Sequence, residues 1–446
     1  MWRSRGYGVI AAIDDRKVRF YDWSNAGCLR QMAYPWKDYA LADLASLSSG
    51  GRSLTAIGPW GLTLMRFDRL ASLPAPCLQA DAQPSDPLRN FDVFWQTVNE
   101  HYAFFQERGV DWQRLRDKYR PMISATTTDE ALLGVMGSMI APLSDRHMMV
   151  IAGPAMVQSG MPDIIARWQS EEHVASVPAI GALLRRKLPE YLGPVWNRHL
   201  DAGTPRQLSP NLITGTAASG RVGYLAIASE SGYEVADPKL SEVEAAAAAF
   251  DAVFSSFAGK RGLIIDLRMN FGGSDEIALI IAGLLADRDR PAFDKCARDG
   301  ERHTPTQHTM LRRREHAFSG PTIVLTSRLT ASAGENIASM ARSLPQVILI
   351  GELTAGVHSD PLVKSLPNGW RFTVSNERYV AADGTTYEGL GVPPDVLVRY
   401  EPEAVRSTGQ DPALDKALEL LEQPSFKQVL AGVKRTGSMG RPGRCH

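Results

Sequence analysis

From Phe91 to Phe105 the large apolar residues Phe91, Phe94, Trp95, Val98, Tyr102 and Phe105 recur at three- and four-residue steps. That period predicts an amphipathic helix with one buried stripe. "DWQRLRDKYRPMI" and "TDEALLGVMGSMIAPL" continue the helical pattern, with Thr128 placed to cap the second. A helical block is therefore predicted over residues 88–152, ending just beyond "LSDRH". Residues 1–80 have a shorter rhythm. "YGVIAAI", "KVRFYDW", "SLTAIG" and "LTLMRFD" are β-rich runs between polar or glycine turns, and they predict a small β-module. "LPAPCLQADAQPSDP" (73–87) reads as the linker. Residues 153–215 are mixed, with helix-like pieces such as "IGALLRRKLPEYL" and no regular strand alternation.

From residue 216 to 425 strands and helices alternate. "RVGYLAIAS", "GLIIDLR", "TIVLTS" and "VILIGE" are strand-like, separated by the helical runs "SEVEAAAAAFDAVFSSFA", "SDEIALIIAGLLADR" and "AGENIASMARSL". This order predicts right-handed crossovers and a mainly parallel sheet, with ligands bound beyond the C-terminal strand ends. The turns "NFGG" and "TASAGE" both lie at that edge. Residues 426–446 read as a flexible tail.

Bulk composition narrows the function classes. The 446 residues carry 49 basic and 49 acidic side chains, so no charge excess points to nucleic acid or an anionic membrane. No apolar run is long enough to span a bilayer. The start as written is not a signal peptide, which reads as cytoplasmic; removal of a leader would place the protein in the periplasm or outside the cell. Cys28, Cys77, Cys296 and Cys445 form no Cys-x-x-Cys pair, so no zinc or other metal site is expected. Cys28 and Cys77 are expected close in space, either bridged or as two buried thiols. His303, His308 and His316 near "LRRREH" read as a solvated polar face. Asp275 and Glu276 suit the first turn of a helix by its dipole, and Asp266 and Arg268 suit a strand-edge brace.

The chemistry concentrates at Ser332. A serine at a strand-to-helix turn faces the first helical N–H groups, which have no intrahelical partner. The N–H of Ala333 is thus a ready oxyanion donor. Gly272 and Gly273 on the neighbouring turn lack a Cβ, so they let a second backbone donor approach. The same four residues, Ser332-Ala333-Gly334-Glu335, also fit a capping box, in which Ser332 is an ordinary helix cap.

Four segments in order, "GLIIDLRMNFGG", "LTASAGENIASM", "IGELTAG" and "YEGLGVPPD", resemble the tail-specific (C-terminal processing) protease family over residues 221–398. "FDVFWQTVNEHY…DW…LSDRH" resembles the helical part of that family's tricorn-core and interphotoreceptor-retinoid-binding branch. The resemblance implies a crotonase-like (ClpP/crotonase spiral) α/β catalytic domain that needs no cofactor and acts on a peptide or unfolded protein. It implies that Ser332 is the nucleophile. One branch of the family has a lysine base after "GE-T-x-G-K", but Val357 stands there, and Lys364 lies further on in a strand-like run. The tricorn-like branch implies His147 as general base and Glu388 as the residue that orients or polarises the site. Arg146 stands where that branch has a serine, with Ser144 nearby but out of register. His358 is the alternative base. The peptide-binding PDZ module of many relatives is expected to be absent, since residues 150–215 have no Gly-Leu-Gly-Phe-like loop. Two competing classes remain: a non-catalytic member binding an apolar ligand or peptide, and a crotonase-type enzyme acting on acyl-CoA. Oligomeric state is unknown from sequence.

Overall fold

The computed structural model describes all residues except 15, 36–45, 59–61, 81–84, 175–176, 234–239, 434–440, 444 and 446. The N-terminal runs form β1 (Trp2–Ser4), β2 (Val9–Ile13), β3 (Lys17–Ser24), β4 (Gly27–Pro35), β5 (Ser46–Leu47), β6 (Ser53–Ile57) and β7 (Leu64–Arg69). They make one antiparallel sheet in the order β4-β3-β2-β1-β7-β6-β5. Cys28 on β4 is bridged to Cys77, with the two Cα atoms 4.9 Å apart, so the expected closeness holds.

The helical block is α1 (Pro87–His101), α2 (Trp112–Tyr119) and α3 (Asp129–Ile140). Each starts on a side-chain cap: Asp86, Asp111 and Thr128 accept from the backbone N–H three residues on. The hairpin β8 (Met149–Ala152) and β9 (Ala155–Gln158) follows, then α4 (Asp163–Glu171), α5 (Val177–His199), β10 (Arg206–Ser209) and β11 (Leu212–Ala217).

The alternating half contains β12 (Val222–Ile227), α6 (Glu242–Ser256), β13 (Gly262–Asp266) and α7 (Asp275–Gly283). Three strands, β14 (Arg290–Asp299), β15 (Arg302–His303) and β16 (Gln307–Leu311), precede β17 (Thr322–Thr326), α8 (Ala333–Arg342) and β18 (Val347–Gly351). After them come β19 (Pro361–Ser365), β20 (Arg371–Ser375), β21 (Glu377–Ala381), β22 (Thr385–Thr386) and β23 (Val396–Leu397). The main sheet runs β10-β11-β12-β13-β17-β18-β23, parallel from β12 onward. Its central strands are buried on both faces. Leu225, Leu263, Ile265, Val324 and Leu349 pack on the α6, α7 and α8 side, where Phe250, Ile277 and Ile337 meet them. Tyr224, Ile264, Ile323, Leu325 and Ile348 point the other way, against Leu192 and Val195 of α5. The fold is a mixed α/β one.

Two contacts outside this sheet matter for the site. β8 pairs with β20 through Phe372↔Val150, giving the sheet β19-β20-β8-β9, and Phe94 of α1 packs edge-on against Phe372 at 5.3 Å. The helical block and the segment after Ser332 therefore share one core. Residues 426–446, read from sequence as a tail, carry α11 (Phe426–Gly432; α9 is Pro402–Thr408 and α10 Pro412–Glu422) and β24 (Arg441–Pro442), which pairs with β22. Cys445 there is bridged to Cys296 of β14, a pairing the sequence reading did not include.

Candidate active site

The turn between β17 and α8 is stitched to the turn after β13. The Ser327 hydroxyl donates to the Arg268 carbonyl (2.5 Å), the Thr330 hydroxyl to the Leu267 carbonyl (2.7 Å), and the Ala331 N–H to the Asn270 carbonyl (3.0 Å). Held this way, Ser332 has φ 55° and ψ −126°. Ordinary caps in this chain do not look like that: Thr128 sits at −72°/158° and Ser241 at −73°/161°. A non-glycine residue in this region is strained by about 1–3 kcal/mol, which the surrounding hydrogen bonds must offset. The capping-box arrangement is present, with the Glu335 carboxylate accepting from the Ser332 N–H (3.3 Å), but the Ser332 hydroxyl faces the Glu335 N–H without a full hydrogen bond to it. The Ser332 hydroxyl makes no side-chain cap hydrogen bond and is left half-buried beside the turn.

Gly272 presses against this hydroxyl. A Cβ there would lie 2.5 Å from the Ser332 Cβ and 3.1 Å from its Oγ, at a φ of +92°. Gly272→Ala is therefore expected to push the serine turn aside and to lower kcat/KM about a hundredfold, the usual result of an ångström-scale misplacement; steady-state kinetics on a peptide substrate would check it. The three expected oxyanion residues differ in availability. The Gly272 N–H is already donated to Asn270 Oδ1 (2.9 Å), so it cannot serve as donor without breaking that bond. The N–H groups of Gly273 and Ala333 make no hydrogen bond among the described residues. Asn270 was not singled out in the sequence. Its Nδ2 donates to the Ile227 carbonyl (3.1 Å) and Glu230 Oε1 (2.6 Å), and its carbonyl holds Ala331.

Glu230 supplies a pH test of this arrangement. It is fully buried, and Oε2 has no partner among the described residues. Burial, only partly opposed by the Asn270 hydrogen bond, pushes its carboxyl up to about 8 from an ordinary 4.5. Between those values the folded chain holds a proton that the unfolded chain has released, so stability falls as pH rises through that window. Glu230→Gln keeps the acceptor for Asn270 and removes the titration. It is expected to gain a few kcal/mol on the wild type between about pH 5 and pH 9, at about 1.4 kcal/mol per tenfold change in proton affinity. Denaturant unfolding at the two pH values measures the difference.

A second group of bonds ties Ser332 to the turn at 354–360. Glu335, fully buried, accepts from Thr354 Oγ1 (2.5 Å) and from the N–H groups of Gly356 (2.7 Å) and Val357 (2.8 Å). Glu388 accepts from the N–H groups of His358 (2.8 Å) and Ser359 (3.2 Å) and from Arg108 Nη2 (2.8 Å). Burial, reinforced by the Asp145 charge, pushes the Glu388 carboxyl above the usual range against the pull of Arg108. Glu388 makes no hydrogen bond to Ser332 or His147 among the described residues; it braces the 356–360 turn. Arg108 also donates to the carbonyls of Ser144 (2.9 Å) and Gly356 (3.0 Å), so it joins the His147 loop to this turn.

His147 lies two residues ahead of β8. Its N–H donates to Asp145 Oδ1 (2.9 Å), its carbonyl accepts from the Thr373 hydroxyl on β20, and its ring Nδ1 is buried with no partner among the described residues. The neighbouring Arg146 donates to the Arg328 carbonyl (2.7 Å), just beyond the end of β17. The loop that carries His147 is thereby tied to the chain just after β17, which leads into the Ser332 turn. His358 is more constrained. Its Nδ1 bonds Asn336 Oδ1 (2.9 Å) and its Nε2 faces the Glu335 carboxylate at 3.4 Å. Burial lowers its pKa, Glu335 opposes this, and the charge of nearby His147 adds to it. Lys364 lies elsewhere, bonded to the Gly8 carbonyl (2.8 Å) and Asp22 (2.9 Å) of the N-terminal sheet. Arg268 is a structural brace, paired with Asp266 (2.6 Å) and Asp411 (2.6 Å) and fully buried. Among the described residues no group of three or more His, Cys, Asp or Glu could hold a metal ion.

Residues 221–398 match the family model of peptidase family S41, and residues 84–141 that of the tricorn protease C1 domain. The chain carries an S41 peptidase domain. The S41 domain contains Gly272, Gly273, Ser332, Ala333, His358 and Glu388, while the C1 domain ends just before His147. The carboxy-terminal processing protease CtpA of Bacillus subtilis is 30% identical over 138 residues, 31% of this chain and 28% of that protein. The tricorn protease of Thermoplasma volcanium is 26% identical over 169 residues, 37% of this chain and 15% of that protein. The chain thus spans less than a third of the length of these relatives. Among solved structures, a peptidase-like protein from Parabacteroides merdae superposes with a TM-score of 0.61 at 24% identity, covering 77% of this chain and 99% of that one. Mature CPAF gives 0.54 at 14% identity, over 78% and 98%. These likenesses are of fold, and they agree with the mixed α/β architecture.

Proposed function

We infer that the protein is a serine peptidase that hydrolyses peptide bonds through an acyl-enzyme on Ser332, on a catalytic domain of the crotonase-like spiral type. One observation carries the reading: Ser332 is held in a strained conformation, its hydroxyl in no full cap hydrogen bond, on a turn that packs against Gly272, while the N–H groups of Gly273 and Ala333 have no partner among the described residues. An ordinary cap would not need the strain.

His147 acts as general base. It takes the Ser332 proton as Oγ attacks the scissile carbonyl carbon, and returns it to the amine as the C–N bond breaks. The oxyanion is held by the N–H groups of Ala333 and Gly273. Water then attacks the ester by the same route in reverse, releasing the acid. Glu388, Glu335 and Arg108 are positioning residues that hold the 354–360 turn and the His147 loop in register with Ser332. The substrate is a peptide or unfolded protein segment lying across the strand edge. A fluorophosphonate reagent tests the reading directly. A stoichiometric adduct mapped to Ser332 is expected, and an unmodified Ser332 under conditions that label a control serine hydrolase would sink it.

A further inference from the structure

A cavity of about 900 Å³ lies between the N-terminal sheet and β19, away from the Ser332 turn. Val9, Met65 and Phe67 line it from the N-terminal sheet and Leu362 from β19, while Asp360 and Glu377 form a polar end. Two features suit it to an extended peptide.

The first is an open strand edge. β19 is the end strand of its sheet. The Leu366 N–H bonds the Trp370 carbonyl (2.8 Å), so in the antiparallel alternation Leu362 and Lys364 direct their main-chain groups at β20. Val363 and Ser365 direct theirs outward. The Ser365 N–H is taken by Asp22 (3.0 Å), whereas the outward groups of Val363 have no partner among the described residues. An unpaired edge beside an apolar hollow is the arrangement that accepts an added strand.

The second is the polar end. Lys295 Nζ lies between Glu377 (3.1 Å) and Asp360 (3.3 Å), so two carboxylates share one ammonium. Glu377 is satisfied by Tyr7 (2.5 Å) and Thr63 (3.2 Å) as well, but Asp360 keeps a side chain one-fifth exposed. A basic side chain is the complement.

This end is wired to the candidate active site. Lys295 donates to the Tyr379 hydroxyl (3.2 Å), which donates to Asp275 (2.7 Å). Asp275 accepts from Asn336 Nδ2 (2.8 Å), and Asn336 Oδ1 bonds His358 Nδ1 (2.9 Å). Asp360 is itself two residues from His358 on the turn that Glu388 braces. We propose that this cavity is a second peptide-binding site, which takes an extended segment by strand addition to β19 with a basic side chain on Asp360, and that its occupation alters turnover at Ser332. The binding half stands by itself; the effect on turnover rests on the peptidase reading.

The probe is the end-blocked, fluorescein-labelled pentapeptide Ile-Thr-Arg-Thr-Ile, whose alternation presents Ile, Arg and Ile on one face. Anisotropy titration uses full-length protein carrying Ser332→Ala, so that the probe is not cleaved. Val363→Pro removes the outward N–H without touching the ladder to β20, Ala56→Trp fills the cavity, and Asp360→Asn removes the charge. Binding is expected to weaken at least about tenfold in the first two and several-fold in the third. Equal binding by Val363→Pro and Asp360→Asn, each folded by circular dichroism, overturns the site. On protein with Ser332 intact, the unlabelled peptide is expected to change hydrolysis of a short fluorogenic peptide amide at least about twofold, half-maximally at the concentration that half-saturates binding. Binding without that change overturns the coupling. Binding by a chain that hydrolyses nothing keeps the site and removes the peptidase reading, so the two failures are distinguishable.

Discussion

Replacing Ser332 by alanine is expected to abolish peptide hydrolysis, by about four to six orders of magnitude in kcat, because removing a nucleophile leaves only binding and the oxyanion donors. The fold should survive. The hydroxyl sits in a capping-box arrangement without a full cap hydrogen bond, so the loss should stay at or below the low end of the range, about 0.5–2 kcal/mol, that follows removal of a true N-cap. Ser332→Gly carries the comparison further. At φ 55° glycine relieves strain that alanine keeps. The glycine variant should therefore be as inactive as the alanine variant but more stable than it, by about 1 kcal/mol. Denaturant unfolding of the three proteins, beside their hydrolysis of one peptide, tests both halves. Wild-type turnover by Ser332→Ala would remove Ser332 from the chemistry. A large stability loss in both variants would return it to the role of a cap.

The second large effect is expected at His147. His147→Ala should reduce kcat to nearly the level of Ser332→Ala, and the double variant should be hardly worse than either, because nucleophile and base act as one unit. His358→Ala discriminates between the two histidines. His358 is 4% exposed and already bonded to Asn336, so its loss should disturb the 354–360 turn and stability more than it disturbs proton transfer. It should lower activity by a smaller factor and also lower the midpoint of thermal unfolding. The reverse pattern, with His358→Ala dead and His147→Ala active, would move the base to the turn after "GELTAG". Arg146→Ala adds an independent check, since its guanidinium anchors the His147 loop on the Arg328 carbonyl. It is expected to cost kcat about tenfold to a hundredfold with little change in KM.

The local elements were legible because their causes are local. The three-to-four-residue stripe of Phe91, Phe94, Trp95 and Val98 became α1, and Asp86, two residues before that helix's Leu88, caps it. The buried runs "GLIIDL" and "TIVLT" became β13 and β17 because strands covered on both faces read as continuous apolar segments. The same reading expected Ser332 at a strand-to-helix turn beside the glycine turn, which is where both lie, and it expected a free donor at Gly272, whose N–H is bonded to Asn270. It took Glu335 only as a cap partner, although Glu335 also receives three bonds from the 354–357 turn. Asp275 was explained by the helix dipole, yet it is buried between Asn336 and Tyr379, where burial pushes its carboxyl up to about 7.

By itself, the sequence determined the strand-turn-helix placement of Ser332, the glycine turn beside it and the helices that precede His147. These follow from side-chain period, cap chemistry and backbone freedom, all of which act within a few residues. Only the tertiary structure decided which distant groups meet. The pairing of β8 with β20 brings the His147 loop to the far side of the chain, Arg108 joins that loop to Glu388 across 280 residues, and Tyr7 reaches Glu377 across 370. Such contacts carry no periodic signal, because they arise only when buried polar groups must find partners after the apolar faces have packed.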